Sequence, residues 1–185
     1  MDTYGVTITG LKRELPICRL SDDLYIAYFV IFGDVELTRA CARELLKKAP
    51  PHDIMITAES KGIPLIYEMA RQNNESDYLI ARKSPKLYMK KVFSVEVQAI
   101  TNQARQSLYI DSNDADKMRG KRVLIVDDVI STGESIHAVE HLIREVGGIV
   151  AGKMAIFAEG SAKDRDDITY LEHLPLFDRH GNPIE

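Results

Sequence analysis

Apolar residues along this chain recur in two rhythms, and their alternation predicts the fold. In residues 36–48 (ELTRACARELLKK), Leu37, Cys41, Leu45 and Leu46 share one face at helical spacing, so the segment predicts an amphipathic helix. Cys41 on that face reads as a small core residue rather than a reactive thiol. Residues 53–58 (DIMITA) form a short apolar run, as a buried strand does. Glu59-Ser60-Lys61-Gly62 follows, and Ile63-Pro64-Leu65 opens another helix. Proline suits the first turn, where its missing N–H would have no partner anyway. Residues 78–82 (YLIAR) read as the next strand, completing a βαβ unit of a parallel sheet.

Residues 84–106 break this rhythm. Lys83, Lys86, Lys90 and Lys91 crowd the entry, then Phe93, Val95 and Val97 alternate with Ser94, Glu96 and Gln98. The pattern predicts a hairpin or long excursion: either a solvated charged hairpin or a lid beside a phosphate site. Residues 122–128 (RVLIVDD) give the clearest strand, near-continuously apolar as a strand covered on both faces must be. A helix follows from about 134 to 146, striped by Ile136, Val139, Ile143 and Val146 and ended by Gly147-Gly148. Residues 149–158 read as another strand, and 168–177 as a final short strand or small appended lobe. The succession predicts an α/β fold with a doubly wound, mostly parallel sheet and ligands at the carboxyl ends of its strands.

Composition narrows the function classes. The 185 residues suffice for one domain, and a net charge of -4 argues against nucleic acid as the main partner. The two cysteines, Cys18 and Cys41, form neither a metal cluster nor a disulfide framework, which suggests a reducing compartment. The N-terminus has no secretory pattern and no apolar run reaches membrane-spanning length, so a cytoplasmic protein without a membrane partner is expected. His137 and His141 stand four apart on a helix, a geometry that binds zinc, but no third ligand is near in sequence. They read as surface residues beside Glu140.

Residues 123–135 (VLIVDDVISTGES) carry the chemistry. Asp127 and Asp128 close a buried strand, and small hydroxyl residues with a glycine enter a helix behind them. Backbone N–H groups in such a turn form an anion cradle that the helix dipole reinforces. Ser131, Thr132 and Ser135 add hydroxyl donors, and Gly133 admits a close approach. The two carboxylates would repel a phosphate directly; they suit ribose hydroxyls or a hydrated magnesium ion. A receiver domain would place its acidic pair after the first strand. No G-x-x-x-x-G-K-[ST] and no G-x-G-x-x-G occurs, which disfavours P-loop and dinucleotide-binding sites.

The stretch VLIVDDVISTGES resembles the phosphoribosyl-pyrophosphate signature of type I phosphoribosyltransferases. The resemblance implies that Asp127 and Asp128 face the ribose hydroxyls and hold Mg2+, while Ser131, Thr132, Gly133, Glu134 and Ser135 wrap the ribose phosphate. Glu59-Ser60-Lys61-Gly62 resembles the family's pyrophosphate loop, where a non-proline cis peptide is common, implied here between Ser60 and Lys61. Arg82 and Lys83 resemble its basic pair near the pyrophosphate, with Lys86 close by. Residues 84–106 take the place of its flexible catalytic loop. The resemblance runs from about 36 to 160 and implies a single domain over 1–185. About 36–164 would be its core, with about 1–35 and 165–185 a small hood.

For the base, the family's hypoxanthine-guanine branch commonly has aspartate where Ser131 stands. Phe93-Ser94-Val95-Glu96 resembles the loop of adenine enzymes, implying Glu96 as general acid/base; the bland reading is a solvated strand glutamate. Residues 98–106 also resemble bacterial xanthine enzymes, and the lysines keep an orotate enzyme open. Val30, Ile31 and Phe32 are candidate stacking residues in the hood, and Leu174 to Asp178 (LPLFD) resembles the closing strand of adenine enzymes. The resemblance thus implies a magnesium-dependent purine phosphoribosyltransferase, adenine favoured, with phosphoribosyl pyrophosphate and a purine base as partners and a homodimeric assembly. The rival is a non-catalytic sensor of phosphoribosyl pyrophosphate on the same fold.

Overall fold

Helices and strands alternate as the apolar pattern predicts, and the two faces of the resulting sheet hold separate cores. The computed structural model describes residues 3–98 and 105–184. Strands β1 (Thr3–Ile8), β2 (Leu11–Arg19) and β3 (Tyr25–Ala27) precede α1 (Val35–Lys48), β4 (Ile54–Ala58), α2 (Ile63–Gln72) and β5 (Leu79–Ala81). A hairpin of β6 (Val92–Gln98) and β7 (Arg105–Asp111) leads through α3 (Ser112–Met118) to β8 (Arg122–Ile130). Then come α4 (Glu134–Glu145), β9 (Ile149–Glu159), β10 (Thr169–Leu174), β11 (Leu176–Phe177) and β12 (Pro183–Ile184).

Five strands form one wholly parallel sheet in the order β10-β9-β8-β4-β5. Successive side chains of a strand point to opposite faces. Ile54, Ile56, Val123 and Ile125 therefore meet α3, α4 and the hairpin on one side, while Met55, Leu124 and Val126 meet α1 and α2 on the other. Each such fully buried side chain contributes about 1.5–3 kcal/mol. Burial pushes the Cys41 thiol up to about 12, so this α1 residue packs rather than reacts.

A second, antiparallel sheet, β1-β2-β3-β11-β12, joins the two ends of the described chain. The expected hood stretch 165–185 therefore divides. β10 is the edge strand of the parallel sheet, and only residues from Leu176 onward pair with β3. Arg13 on β2 binds Asp34 at 2.6 Å and Glu36 at 2.8 Å at the start of α1. Asp34 also caps that helix, accepting from the Leu37 N–H at 3.0 Å. The Phe29 ring meets the Phe157 ring edge-on, centroids 4.8 Å apart, which pins the segment after β3 onto β9.

The hairpin is anchored rather than freely solvated at its base. Arg82 and Tyr109 exchange both backbone hydrogen bonds at 2.8 Å. Val95, Leu108 and Ile110 are buried in the core that contains α4. The remainder of the excursion, residues 99–104, lies outside the described residues, as do the side chains of Glu96, Val97, Gln98, Arg105 and Gln106.

Candidate active site

From β4 the connection moves outward to β5, whereas from β8 it moves the other way through β9 to β10. The chain thus diverges between β4 and β8, where an open α/β sheet leaves a crevice at its carboxyl edge. A cavity of about 270 Å³ lies there.

The end of β8 supplies its acidic floor. Asp128 is buried; its Oδ1 accepts from the Val129 N–H at 3.0 Å, and its Oδ2 has no partner. Asp127 Oδ1 accepts from the Asp128 N–H at 2.9 Å. Burial holds both carboxyls above their ordinary range; the Asp128 charge adds to the effect on Asp127, and Lys61 opposes the effect on Asp128. A buried acceptor without a partner calls for a hydroxyl donor or a hard cation.

Beyond β8 the chain turns through Ser131-Thr132-Gly133 into α4. No side chain caps this helix, and Gly133 adopts φ 85°. Residues Ser131 to Ser135, with Asp127, line an adjoining cavity of about 110 Å³. Uncapped N–H groups and the helix dipole favour an anion there. Arg165 backs the turn: a Cβ on Gly133 would lie 2.2 Å from its Nη1. Its Nε and Nη2 hold Asp167 at 2.9 and 2.8 Å, and Lys153 bridges Asp167 at 2.8 Å to Glu140 at 2.6 Å.

The turn after β4 forms the opposite wall. A non-proline cis peptide is present, but it joins Glu59 to Ser60, one bond before the expected Ser60–Lys61 position. Glu59 still belongs to the sheet, its N–H donating to Ala81 O at 2.8 Å, so the turn starts directly after it. The Glu59 carboxylate accepts from the Lys83 N–H at 3.0 Å and from Arg82 Nη1 at 3.2 Å, with Lys86 Nζ at 3.7 Å. The Lys83 amide foremost, then the Lys86 and Arg82 charges, hold its carboxyl below the usual range. At Gly62 a Cβ would lie 2.2 Å from Thr57 Oγ1 and 3.4 Å from Asp127 Cα, so only glycine lets this turn pass β8.

Of the residues singled out from sequence, Glu59, Ser60, Lys61, Lys83, Asp127, Asp128, Ser131 and Ser135 line the main cavity. Thr132, Gly133 and Glu134 line the adjoining one. Arg82 and Lys86 instead grip Glu59 from behind, and Arg82 also binds the Tyr88 hydroxyl at 3.2 Å. Phe32 is absent from the cavity lining and is 51% exposed, while Ile31 is buried in the core. The roof comes from Ile26 to Phe29 instead. β3 ends at Ala27, and Phe29 turns down onto Phe157, which carries the next residues away from the cavity.

Sequence reasoning missed two features: the roof residues Tyr28 and Phe29, and Glu159 at the end of β9. Glu159 lines the cavity, and burial raises its carboxyl above the usual range, opposed by a hydrogen bond with Ser131 and the charge of Lys61. An acidic residue ending an apolar strand, as Asp127 and Asp128 do, was the available signal. His137 and His141 find no third ligand: among the described residues no cluster of three or more His, Cys, Asp or Glu could hold a metal. No helix of the described residues is long and apolar enough to cross a membrane.

An acidic pair, an uncapped helix turn and a lysine-bearing turn meet at one switch point, a setting suited to an anion that also carries hydroxyl groups. The chain belongs to the phosphoribosyl transferase domain family, whose model matches residues 36–177. It is similar to the adenine phosphoribosyltransferase of Ureaplasma parvum, 31% identical over 121 residues, covering 65% of this chain and 66% of the relative. It is also similar to the hypoxanthine/guanine phosphoribosyltransferase of Methanotorris igneus, 29% identical over 157 residues, covering 82% and 81%. Among solved structures, the adenine phosphoribosyltransferase of Rhodothermus marinus shares the fold, with TM-score 0.65, 20% identity and coverage of 93% and 94%.

Proposed function

We propose that this protein transfers the 5-phosphoribosyl group of phosphoribosyl pyrophosphate to a purine base, adenine above others, releasing pyrophosphate and the nucleoside monophosphate for purine salvage. The observation that carries the reading is the meeting of Asp127 and Asp128, the Ser131–Ser135 turn and Lys61 around one crevice. Adenine is favoured by Ser131 in place of aspartate, by the Phe93-Ser94-Val95-Glu96 run and by the likeness to the Ureaplasma enzyme.

In this reading the Ser131–Ser135 turn binds the ribose phosphate through its N–H and hydroxyl groups. Asp127 and Asp128 accept hydrogen bonds from the two ribose hydroxyls, which places the anomeric carbon. A purine ring nitrogen attacks that carbon as its bond to the pyrophosphate oxygen breaks, and the nitrogen gives up its proton. Lys61 and Lys83 stabilise the charge that grows on the departing pyrophosphate. Glu59, gripped by Arg82 and Lys86, holds the turn that presents Lys61. Glu96 is the proposed acceptor of the base proton, and the hairpin excludes water that would hydrolyse the sugar. Most of the acceleration is positioning and charge stabilisation.

Magnesium fits the acidic floor, since adjacent carboxylates, one with a buried free oxygen, are the hard donors it takes alongside ligand oxygens. When bound it neutralises pyrophosphate charge. The homodimeric state and cytoplasmic setting belong to the same proposal.

The test is a panel assay with phosphoribosyl pyrophosphate, magnesium and adenine, hypoxanthine, guanine, xanthine or orotate, following pyrophosphate release. Turnover with adenine, lost in the Asp127→Asn/Asp128→Asn double variant, is the expected result. Magnesium-dependent binding of phosphoribosyl pyrophosphate without turnover of any base would overturn it in favour of a sensor.

A further inference from the structure

We propose that Glu159 selects an amino-purine over an oxo-purine by accepting an N–H of the exocyclic amine on the bound base. The proposal rests on the purine phosphoribosyltransferase reading above and assigns the part of the cavity which that reading leaves without chemistry.

Its position follows from strand order. The β4 end carries the turn after Glu59 and the pyrophosphate side, with the Lys61 ammonium reaching across to Tyr28; the β8 end carries the ribose carboxylates and the phosphate turn. β9 lies next to β8 on the side away from β4, and it ends at Glu159. The roof residues Ile26 to Phe29 line the same cavity, fastened by the contact of Phe29 with Phe157, two residues before Glu159. Pyrophosphate and base leave the anomeric carbon in opposite directions, so the base belongs at the wall formed by the roof and β9.

The chemistry of that wall is selective. A carboxylate oxygen accepts hydrogen bonds and donates none. The 6-amino group of adenine donates; the 6-oxo group of hypoxanthine, guanine or xanthine presents lone pairs that would face those of Glu159. Ser131 and Glu159 line the same cavity. No salt bridge ties Glu159 down among the described residues, in contrast to Glu59 with its Arg82 and Lys86 contacts. Burying an acceptor against an unpaired acceptor is worth about a tenfold to a hundredfold discrimination.

The experiment compares the wild type with Glu159→Ala and Glu159→Gln. Adenine and hypoxanthine are assayed separately with saturating phosphoribosyl pyrophosphate and magnesium, and dissociation constants are measured for adenosine and inosine monophosphate. In Glu159→Ala we expect kcat/KM for adenine to fall about 10- to 100-fold. Hypoxanthine should improve, because the acceptor that faces its 6-oxo group is gone, and the KM for phosphoribosyl pyrophosphate should stay within about threefold. Glu159→Gln has both an acceptor and a donor, preserves shape if the alanine variant fails to fold, and should bring the two bases close to parity. The two monophosphates should show the same change of ratio without turnover. An equal loss for both bases would reduce Glu159 to a brace for Ser131 and overturn the proposal. So would a wild type that prefers hypoxanthine, although it would leave the purine reading intact. A wild type that turns over no purine would remove that reading itself, and this inference with it.

Discussion

The ammonium of Lys61 stands 4.8 Å from the centroid of the Tyr28 ring. The turn after β4 and the roof beyond β3 therefore meet through a cation and an aromatic face across the mouth of the cavity. Such a contact is worth about 0.5–1 kcal/mol at an exposed site. Tyr28→Phe should keep the KM for phosphoribosyl pyrophosphate within about twofold, while Tyr28→Leu should raise it about 2- to 5-fold. Steady-state kinetics check this, and equal behaviour of the two variants would show that the ring face does not place the lysine.

The close approaches at Gly62 and Gly133 make two distinct predictions. Gly62→Ala drives a methyl into Thr57 Oγ1 and towards the Asp127 backbone, so both stability and activity should fall, by about 1–3 kcal/mol in stability. Gly133→Ala meets the end of a flexible arginine but must also hold φ 85°, which costs about 1–2 kcal/mol. Its larger effect should be weaker binding of phosphoribosyl pyrophosphate. Thermal denaturation alongside titration calorimetry separates the two.

Two phenylalanines near the roof should behave oppositely. Phe29 is buried against Phe157, and Phe29→Ala should destabilise the protein by about 3–5 kcal/mol. Phe32 is half exposed and away from the cavity, so Phe32→Ala should leave the KM for the base within about twofold and stability within about 0.5 kcal/mol. A large rise in base KM for Phe32→Ala would restore it as a stacking residue.

Acid stability should depend on Glu68. This buried α2 carboxylate is held down to about 2, chiefly by Arg71, whose Nε and Nη2 lie 2.8 and 2.7 Å from its oxygens. A depressed carboxyl stabilises the fold fully above its unfolded pKa, and that stabilisation is lost as pH falls through the folded one. Because Arg71 is more than half exposed, the contribution is only about 1 kcal/mol. The gap in Tm between the wild type and Glu68→Gln should therefore be constant near neutrality and close between about pH 5 and 2. A gap unchanged at pH 2.5 would contradict the pairing.

The central sheet was legible because its signals are local. α1 spans Val35–Lys48 against an expected 36–48, and β8, α4 and β9 lie where apolar runs and the paired glycines put them. The turn into α4 was legible because small hydroxyl residues and a glycine stand between an apolar strand and a helical stripe. The hood was not. Strands β1 and β2 bury few of their residues, so alternation is faint, and β3 and β11 are too short for any period. An apolar run such as Val30-Ile31-Phe32 forecasts burial but not direction, and direction here depends on the pairing of β3 with distant β11. The closeness required at Gly62 and the cavity-facing place of Glu159 likewise arise only between elements, after the sheet has formed.

The pairing of Tyr25 with Phe177 and of Ile26 with Leu176 also orders events in time. A ribosome makes the phosphate turn and the acidic floor before it makes β11. The surroundings of Asp127 and Gly133 can thus take shape early, while the roof of the cavity must wait for β11. The cover of the cavity is completed later than its floor.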